Sequence, residues 1–150
     1  MAVLLVVHHT PSPAMHELLE AVLAGTHADG IEGVEVRTRA ALTASPVDVL
    51  EADGFLLGTP ANIGYLSGAM KHFFDGIYYP TLTEKPGAPY GLWVHGNNDT
   101  GGAVRAAESI TAALGWTKVH EPIEITAGAD KAAREACFDL GGTVAASLMA

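Results

Sequence analysis

ADGFLLGTPANIGYLSGAMKHFFDGIYY, residues 52–79, reads in succession as a buried strand, a glycine-punctuated loop and an amphipathic helix. Gly54 to Gly58 is a short apolar run bounded by turn residues, as expected of a strand covered on both faces. Thr59-Pro60-Ala61-Asn62-Ile63-Gly64 is rich in small polar groups and exposed backbone, hence a loop. From Leu66 the apolar side chains fall at Leu66, Met70, Phe73, Phe74 and Ile77, which is helical spacing. Open α/β sheets bind ligands beyond the carboxyl ends of their parallel strands, so this loop is the first candidate site.

Working outward, the same alternation recurs. Ala2 to Val7 (AVLLVV) is a buried strand. Met15, Leu18, Leu19, Val22 and Leu23 form one stripe, predicting a helix from Pro13 to Gly25. Val34 to Thr38 alternates, as a more exposed strand does. Tyr90 to His95 is a fourth strand, and Ala103 to Leu114 a helix closed by Gly115. Val119 to Ile125 holds a last strand interrupted by Pro122, an edge strand or a bend. Ala133, Cys137, Leu140, Val144 and Leu148 make a final helical stripe. The expectation is one α/β domain over residues 1–150, a three-layer doubly wound parallel sheet of five strands in the order 2-1-3-4-5. Its crevice would be lined by His8 to Ala14, Thr59 to Tyr65 and Gly96 to Gly102.

Composition bounds the function classes. Of 150 residues, 49% are hydrophobic and 17% charged, a chain able to bury a full core. The single cysteine, Cys137, excludes an internal disulfide and a cysteine-based metal cluster, in keeping with a reducing cytoplasm. A formal net charge of −9 argues against nucleic acid as a partner. The apolar run Met1 to Val7 is too short to span a membrane and lacks the charged flank of a signal peptide.

The first loop, His8-His9-Thr10-Pro11-Ser12-Pro13-Ala14-Met15, places Ser12 as an N-cap and Pro13 at the first helical position. Free N–H groups at Ala14, Met15 and His16 with the helix dipole make an anion site, to which Thr10 and Ser12 add hydroxyls. An ordinary Ser-Pro helix cap explains the same residues, and both readings stand. No Walker-type glycine–lysine pattern accompanies them, which argues against a nucleoside triphosphate. In the third loop, Gly96-Asn97-Asn98-Asp99-Thr100-Gly101-Gly102, glycines admit a ligand close to the backbone, and asparagine amides both donate and accept. A turn with Asp99 or Thr100 capping the next helix accounts for part of it. His8, His9 and His95 sit at strand ends. They read as polar contacts at the cleft mouth rather than as a zinc site, since no carboxylate or cysteine stands at ligand spacing. A phosphorelay receiver shares the sheet order but needs acidic residues after the first strand, where this chain has histidines.

Gly58-Thr59-Pro60-x-x-x-Gly64-x-x-Ser67-x-x-Met70-Lys71-x-Phe73-x-Asp75 resembles the middle loop of the flavodoxin-like FMN proteins, most of all the NAD(P)H-dependent FMN reductase and quinone reductase branch. The resemblance extends along the chain through Thr10 and Ser12 in the first loop and GNNDTGG in the third. It implies a flavodoxin-like fold and bound FMN. Thr10, Ser12, Ala14 and Met15 would hold the phosphate. Thr59, Pro60, Ala61, Asn62, Ile63, Gly64 and Tyr65 would line the isoalloxazine, and Gly96, Asn97, Asn98, Asp99 and Gly101 would close its far side. Three departures stand out. Pro11 and Pro13 remove N–H donors, Met15 replaces a hydroxyl, and the third loop lacks a ring-stacking aromatic, a place that Tyr65, Tyr78 or Tyr79 would have to take.

The function so implied is an FMN-dependent oxidoreductase taking electrons from NAD(P)H to a small-molecule acceptor, with no side chain needed as nucleophile or proton shuttle. The alternatives are a flavodoxin-type carrier docking on a redox protein, or a fold relative that no longer retains flavin. Ile77-Tyr78-Tyr79-Pro80 is a candidate homodimer surface, Trp93 and Cys137 read as core, and Trp116 as an interface residue.

Overall fold

Successive side chains of a strand point to opposite faces of its sheet, and here that alternation splits the core in two. Leu5, Val7, Phe55, Leu57, Leu92 and Val94 belong to one buried cluster, and Leu4, Val6, Leu56 and Trp93 to the other. The computed structural model describes all residues from Met1 to Ala150. Its elements are β1 (Ala2–His8), α1 (Pro13–Thr26), β2 (Val34–Ala40), α2 (Pro46–Glu51), β3 (Gly54–Asn62), β4 (Tyr65–Leu66), α3 (Gly68–Thr81), β5 (Pro89–His95), α4 (Gly101–Leu114), β6 (Thr117–Lys118), β7 (Ile123–Ile125) and α5 (Lys131–Ser147). Helices α1 and α5 cover one face of the sheet; α3 and α4 cover the other.

The sheet has seven strands rather than five. Its parallel core runs β2-β1-β3-β5-β6, β4 pairs antiparallel with β3, and β7 also pairs with β5. The last strand is therefore two short pieces. Thr117 and Lys118 join β5 near its start, Ile123 to Ile125 join it near its end, and Val119 to Pro122 bridge them outside the sheet.

The other differences are local. β3 does not stop at Gly58 but runs on to Asn62, through a proline. The Gly58 carbonyl still accepts from His9 N–H, so by alternation the Pro60 nitrogen also faces the β1 side, where β1 has already ended at His8. Ile63 and Gly64 then form a two-residue turn into β4 with φ of 51° and 71°. Two positive φ values are the mark of a type I′ hairpin. Leu66 is thus strand, and α3 starts after the Ser67 N-cap, whose hydroxyl accepts from Met70 N–H at 3.1 Å. Helix α2 was outside the expectation, although Ser45 and Asp48 form a capping box with Pro46 at the first helical position. β2 extends to Ala40, α1 to Thr26, and α4 begins at Gly101 instead of Ala103. Leu148 caps α5 rather than continuing it.

Trp116 is a core residue, only 6% exposed, with its ring stacked on Phe55 at 3.9 Å. Of the candidate dimer surface, Ile77 is fully buried and Tyr79 is 82% exposed. Trp93 and Cys137 are buried as expected, and burial pushes the Cys137 thiol up to about 12. No helix is long and apolar enough to cross a membrane.

α1 and α5 approach closely enough that their glycines are obligatory. A methyl on Gly141 would lie 2.1 Å from the Val22 carbonyl oxygen, and one on Gly25 2.0 Å from that of Phe138. Gly141→Ala should therefore cost about 1–3 kcal/mol in urea unfolding, the range for overpacking, because backbone rather than a flexible side chain is in the way. An unchanged midpoint would show that the helices separate easily. Ile63 gives the opposite prediction. A β-branched residue in the left-handed region with its side chain wholly in solvent pays strain and gains no packing. Ile63→Asn creates the Asn-Gly pair that type I′ turns prefer and should raise stability by about 1 kcal/mol.

Candidate functional site

Three chain segments meet beyond the carboxyl ends of β1, β3 and β5. Pro11, Ser12, Pro60, Ala61, Asn62, His95, Gly96 and Asn97 line a cleft of about 220 Å³. Ala61, Ile63, Gly64, Asn97, Asn98 and Asp99 line an adjoining one of about 300 Å³. The two share Ala61 and Asn97, so they form one groove between the hairpin and the β5–α4 loop. Ligand sites in open α/β sheets lie at this edge.

At one end of the groove stands the amino terminus of α1. Ser12 is in the extended conformation of an N-cap, and its hydroxyl accepts from Met15 N–H at 3.2 Å. The N–H groups of Thr10, Ser12 and Ala14 have no acceptor within the chain, while His16 N–H donates to the Ser12 carbonyl at 3.0 Å. Of the three N–H groups expected to be free, Met15 is therefore taken by the Ser12 hydroxyl and His16 by the Ser12 carbonyl, which leaves Ala14 beside Thr10 and Ser12. The Met15 side chain is fully buried under α1, so only its backbone belongs to this loop. Neither lining set contains a lysine or arginine; Asp99 is the one charged side chain. Among the histidines that flank these donors, His8 touches one of them directly, its Nδ1 lying 2.7 Å from the Thr10 hydroxyl. Burial first, and the neighbouring His9 second, hold the His8 imidazole below its ordinary value.

The hairpin wall is braced from behind. Thr59 is wholly buried; its hydroxyl donates to the Pro60 carbonyl at 2.9 Å and accepts from Ser67 N–H at 3.2 Å. Its role is to tie β3 to the start of α3, and it does not face the groove. Across from the hairpin, a methyl on Gly102 would lie 1.8 Å from the Gly64 carbonyl oxygen, so α4 presses its first turn directly on the turn backbone. Tyr65 is 44% exposed at the outer rim and lines neither cleft.

The third wall is set by hydrogen bonds rather than by packing. Gly96 N–H donates to the Ile125 carbonyl at 2.9 Å, and Thr100 Oγ1 donates to Glu124 Oε1 at 2.8 Å. Asp99 Oδ1 accepts from Gly101 N–H at 2.9 Å, so the side-chain contact with the start of α4 comes from Asp99, while the N-cap residue Thr100 makes no side-chain cap bond. Gly101 lies within the helix, outside the lining. His95 Nε2 donates to the Ala127 carbonyl at 2.9 Å, which fixes that ring nitrogen as the protonated one in the neutral ring. Pro11 and His95 line the groove beside the expected residues. The sequence marks both by position, since each lies at or just after the end of a strand.

No three histidine, cysteine or carboxylate side chains converge into a metal-ligating group. What the groove offers is backbone: free N–H groups at one end, a glycine-bearing hairpin along one side, and asparagines along the other. Such a surface suits a long, flat, anion-tailed ligand.

Known proteins agree with this geometry at the level of fold. No family model matches the chain. Over 77 residues, 51% of this chain, it is 39% identical to a flavodoxin of Aquifex aeolicus (strain VF5), and the match spans 40% of that relative. Among solved structures, a Streptococcus pneumonia TIGR4 flavodoxin superposes with a TM-score of 0.82 at 20% identity, covering 98% of this chain and 100% of that one. A flavodoxin, WrbA-like protein of Agrobacterium tumefaciens gives 0.79 at 17% identity, covering 98% and 97%. With the sheet order, the groove at its switch point and these superpositions together, the chain has the flavodoxin-like fold.

Proposed function

We propose that the groove binds FMN and that the protein is a flavodoxin-like redox protein. The observation that carries this reading is the convergence of three segments on one groove, with Ser12 lining one end and the unpaired N–H groups of Thr10 and Ala14 close to it along the chain. The phosphate would sit on those donors at the α1 amino terminus. Ala61, Asn62, Ile63 and Gly64 would flank one face of the ring, and Gly96, Asn97, Asn98 and Asp99 the other. Bound FMN supplies reversible transfer of one or two electrons, and the protein supplies position and electrostatics. The backbone of Asn62 to Gly64 is the candidate for contact with the ring edge. The Asp99 carboxylate, in a protein of net charge −9, opposes negative charge gathering in the groove.

Two readings of the redox role follow. The relative at 39% identity is a flavodoxin, which favours a carrier. A fully exposed Ile63 and a half-exposed Tyr65 at the groove rim would suit contact with a redox protein, and the acidic surface would suit a basic one. The reductase reading, with NAD(P)H as donor and a small molecule such as a quinone as acceptor, rests on the absence of an aromatic from the Gly96–Gly102 wall. That absence leaves a substrate-sized approach to the ring.

The visible spectrum of the purified protein tests the proposal. Addition of FMN should give flavin absorbance that survives desalting. Protein that stays colourless would contradict FMN binding and leave a flavin-free member of the fold. With FMN bound, oxidation of NADH or NADPH by a quinone identifies the reductase. Its absence, alongside electron uptake from a reduced redox protein, identifies the carrier.

A further inference from the structure

We propose that His8 is a proton-controlled partner of the phosphate end of the groove, acting through the hydroxyl of Thr10. The proposal rests on the FMN reading and adds a residue and a pH dependence to it. Its basis is the 2.7 Å contact between His8 Nδ1 and Thr10 Oγ1, two residues before the N-cap of α1.

The direction of that hydrogen bond decides what Thr10 can offer an anion. When Nδ1 carries no proton, the hydroxyl must donate to it and turns lone pairs outward. When Nδ1 carries a proton, it donates to Oγ1, and the hydroxyl hydrogen is free for a phosphate oxygen. Neutral His8 divides between the two tautomers, whereas protonated His8 has only the second arrangement and adds a positive charge. Pro11 and Pro13 have no N–H, and no lysine or arginine lines the groove, so one recovered donor and one charge matter more here than in a donor-rich loop.

The surroundings leave His8 free to play this part. Its register partners are Ala40 on β2 and Gly58 on β3, neither titratable. Arg39, one residue before Ala40, is engaged with Asp48 of α2 at 3.5 Å. The first turn of α1 holds no acidic residue, and His16 lies 3.9 Å from Glu20. Across the groove His95 is occupied with the Ala127 carbonyl. Burial first, and the neighbouring His9 second, lower the affinity of the His8 imidazole for its proton. A phosphate dianion must raise the affinity of His8 for its proton, and by reciprocity lower pH must tighten the phosphate.

The test compares FMN and riboflavin binding to the wild type and to His8→Gln, by flavin fluorescence quenching, between about pH 8 and pH 5, a window that reaches below the ordinary histidine value because burial and His9 lower that of His8. Gln keeps a hydrogen-bonding group beside Thr10 but does not titrate. The change in FMN ionisation over this range is common to both proteins and cancels in their ratio. The wild type should gain about five- to tenfold in FMN affinity over His8→Gln as the pH falls, a coupling of ordinary size. Riboflavin, lacking the phosphate, should show no such gain. In the wild type alone, the NMR titration of the His8 ring should move to higher pH when FMN is added, which keeps the test independent of the variant's folding. Parallel pH profiles, an equal gain for riboflavin, or an unmoved His8 titration would each overturn the role of His8 while FMN binding stands. Failure of both proteins to bind FMN at any pH would overturn the FMN reading and this one with it.

Discussion

The groove depends on one backbone-to-backbone contact, that between Gly64 in the β3–β4 turn and Gly102 in the first turn of α4. Any side chain at position 102 would drive into the Gly64 carbonyl. Because β1 ends at His8 while β3 continues to Asn62, the last residues of β3 project past the sheet and would be an unsupported edge. Pairing with β4 gives them backbone partners on one side, β5 supplies register as far as Pro60, and the Thr59–Ser67 hydrogen bonds fasten the hairpin to the cap of α3. The hairpin is thus held by β5, by the cap of α3 and by α4, against which its turn is pressed. A strained residue at the turn, Ile63 with φ of 51°, persists because these contacts over-determine it.

From that wall the remaining geometry follows. α4 is placed by the loop that closes the opposite side of the groove, and that loop is tied to β7 through Gly96–Ile125 and Thr100–Glu124. The short strand β7 therefore does more than finish the sheet, since it fixes the height of the third wall. The close α1–α5 pairing on the far face sets where the amino terminus of α1 points. Site donors are backbone groups whose positions are set by packing elsewhere, which is the cheapest way to preorganise a binding surface.

Much of this was legible in the sequence because buried parallel strands and amphipathic helices carry strong periodic signals. Leu4 to Val7, Phe55 to Leu57 and the stripe from Met15 to Leu23 read correctly, and the three site segments were found at one sheet edge. What stayed hidden depended on tertiary partners. Pro60 argues against a strand locally, and only the early end of β1 makes it tolerable. A hairpin with Ile at a position that asks for positive φ carries no turn signal, since Asn or Gly would be expected there. The Trp116 indole follows a helix-ending glycine and looked peripheral, yet it folds back onto Phe55. Thr59 read as a loop hydroxyl because burial of a small polar residue is invisible without its partners. The capping box at Ser45 and Asp48 was legible and marks α2.

In the FMN reading, the unpaired donors at the start of α1 and the hairpin beyond β3 serve one phosphate-tailed flavin. Amide chemical-shift mapping of the ¹⁵N-labelled protein with FMN and then with riboflavin tests it most directly. FMN should move the amides of Thr10, Ser12, Ala14, Ile63, Gly64 and Asn97, and riboflavin only the last three. Shifts centred on another face, or equal movement of Thr10, Ser12 and Ala14 by riboflavin, would contradict it.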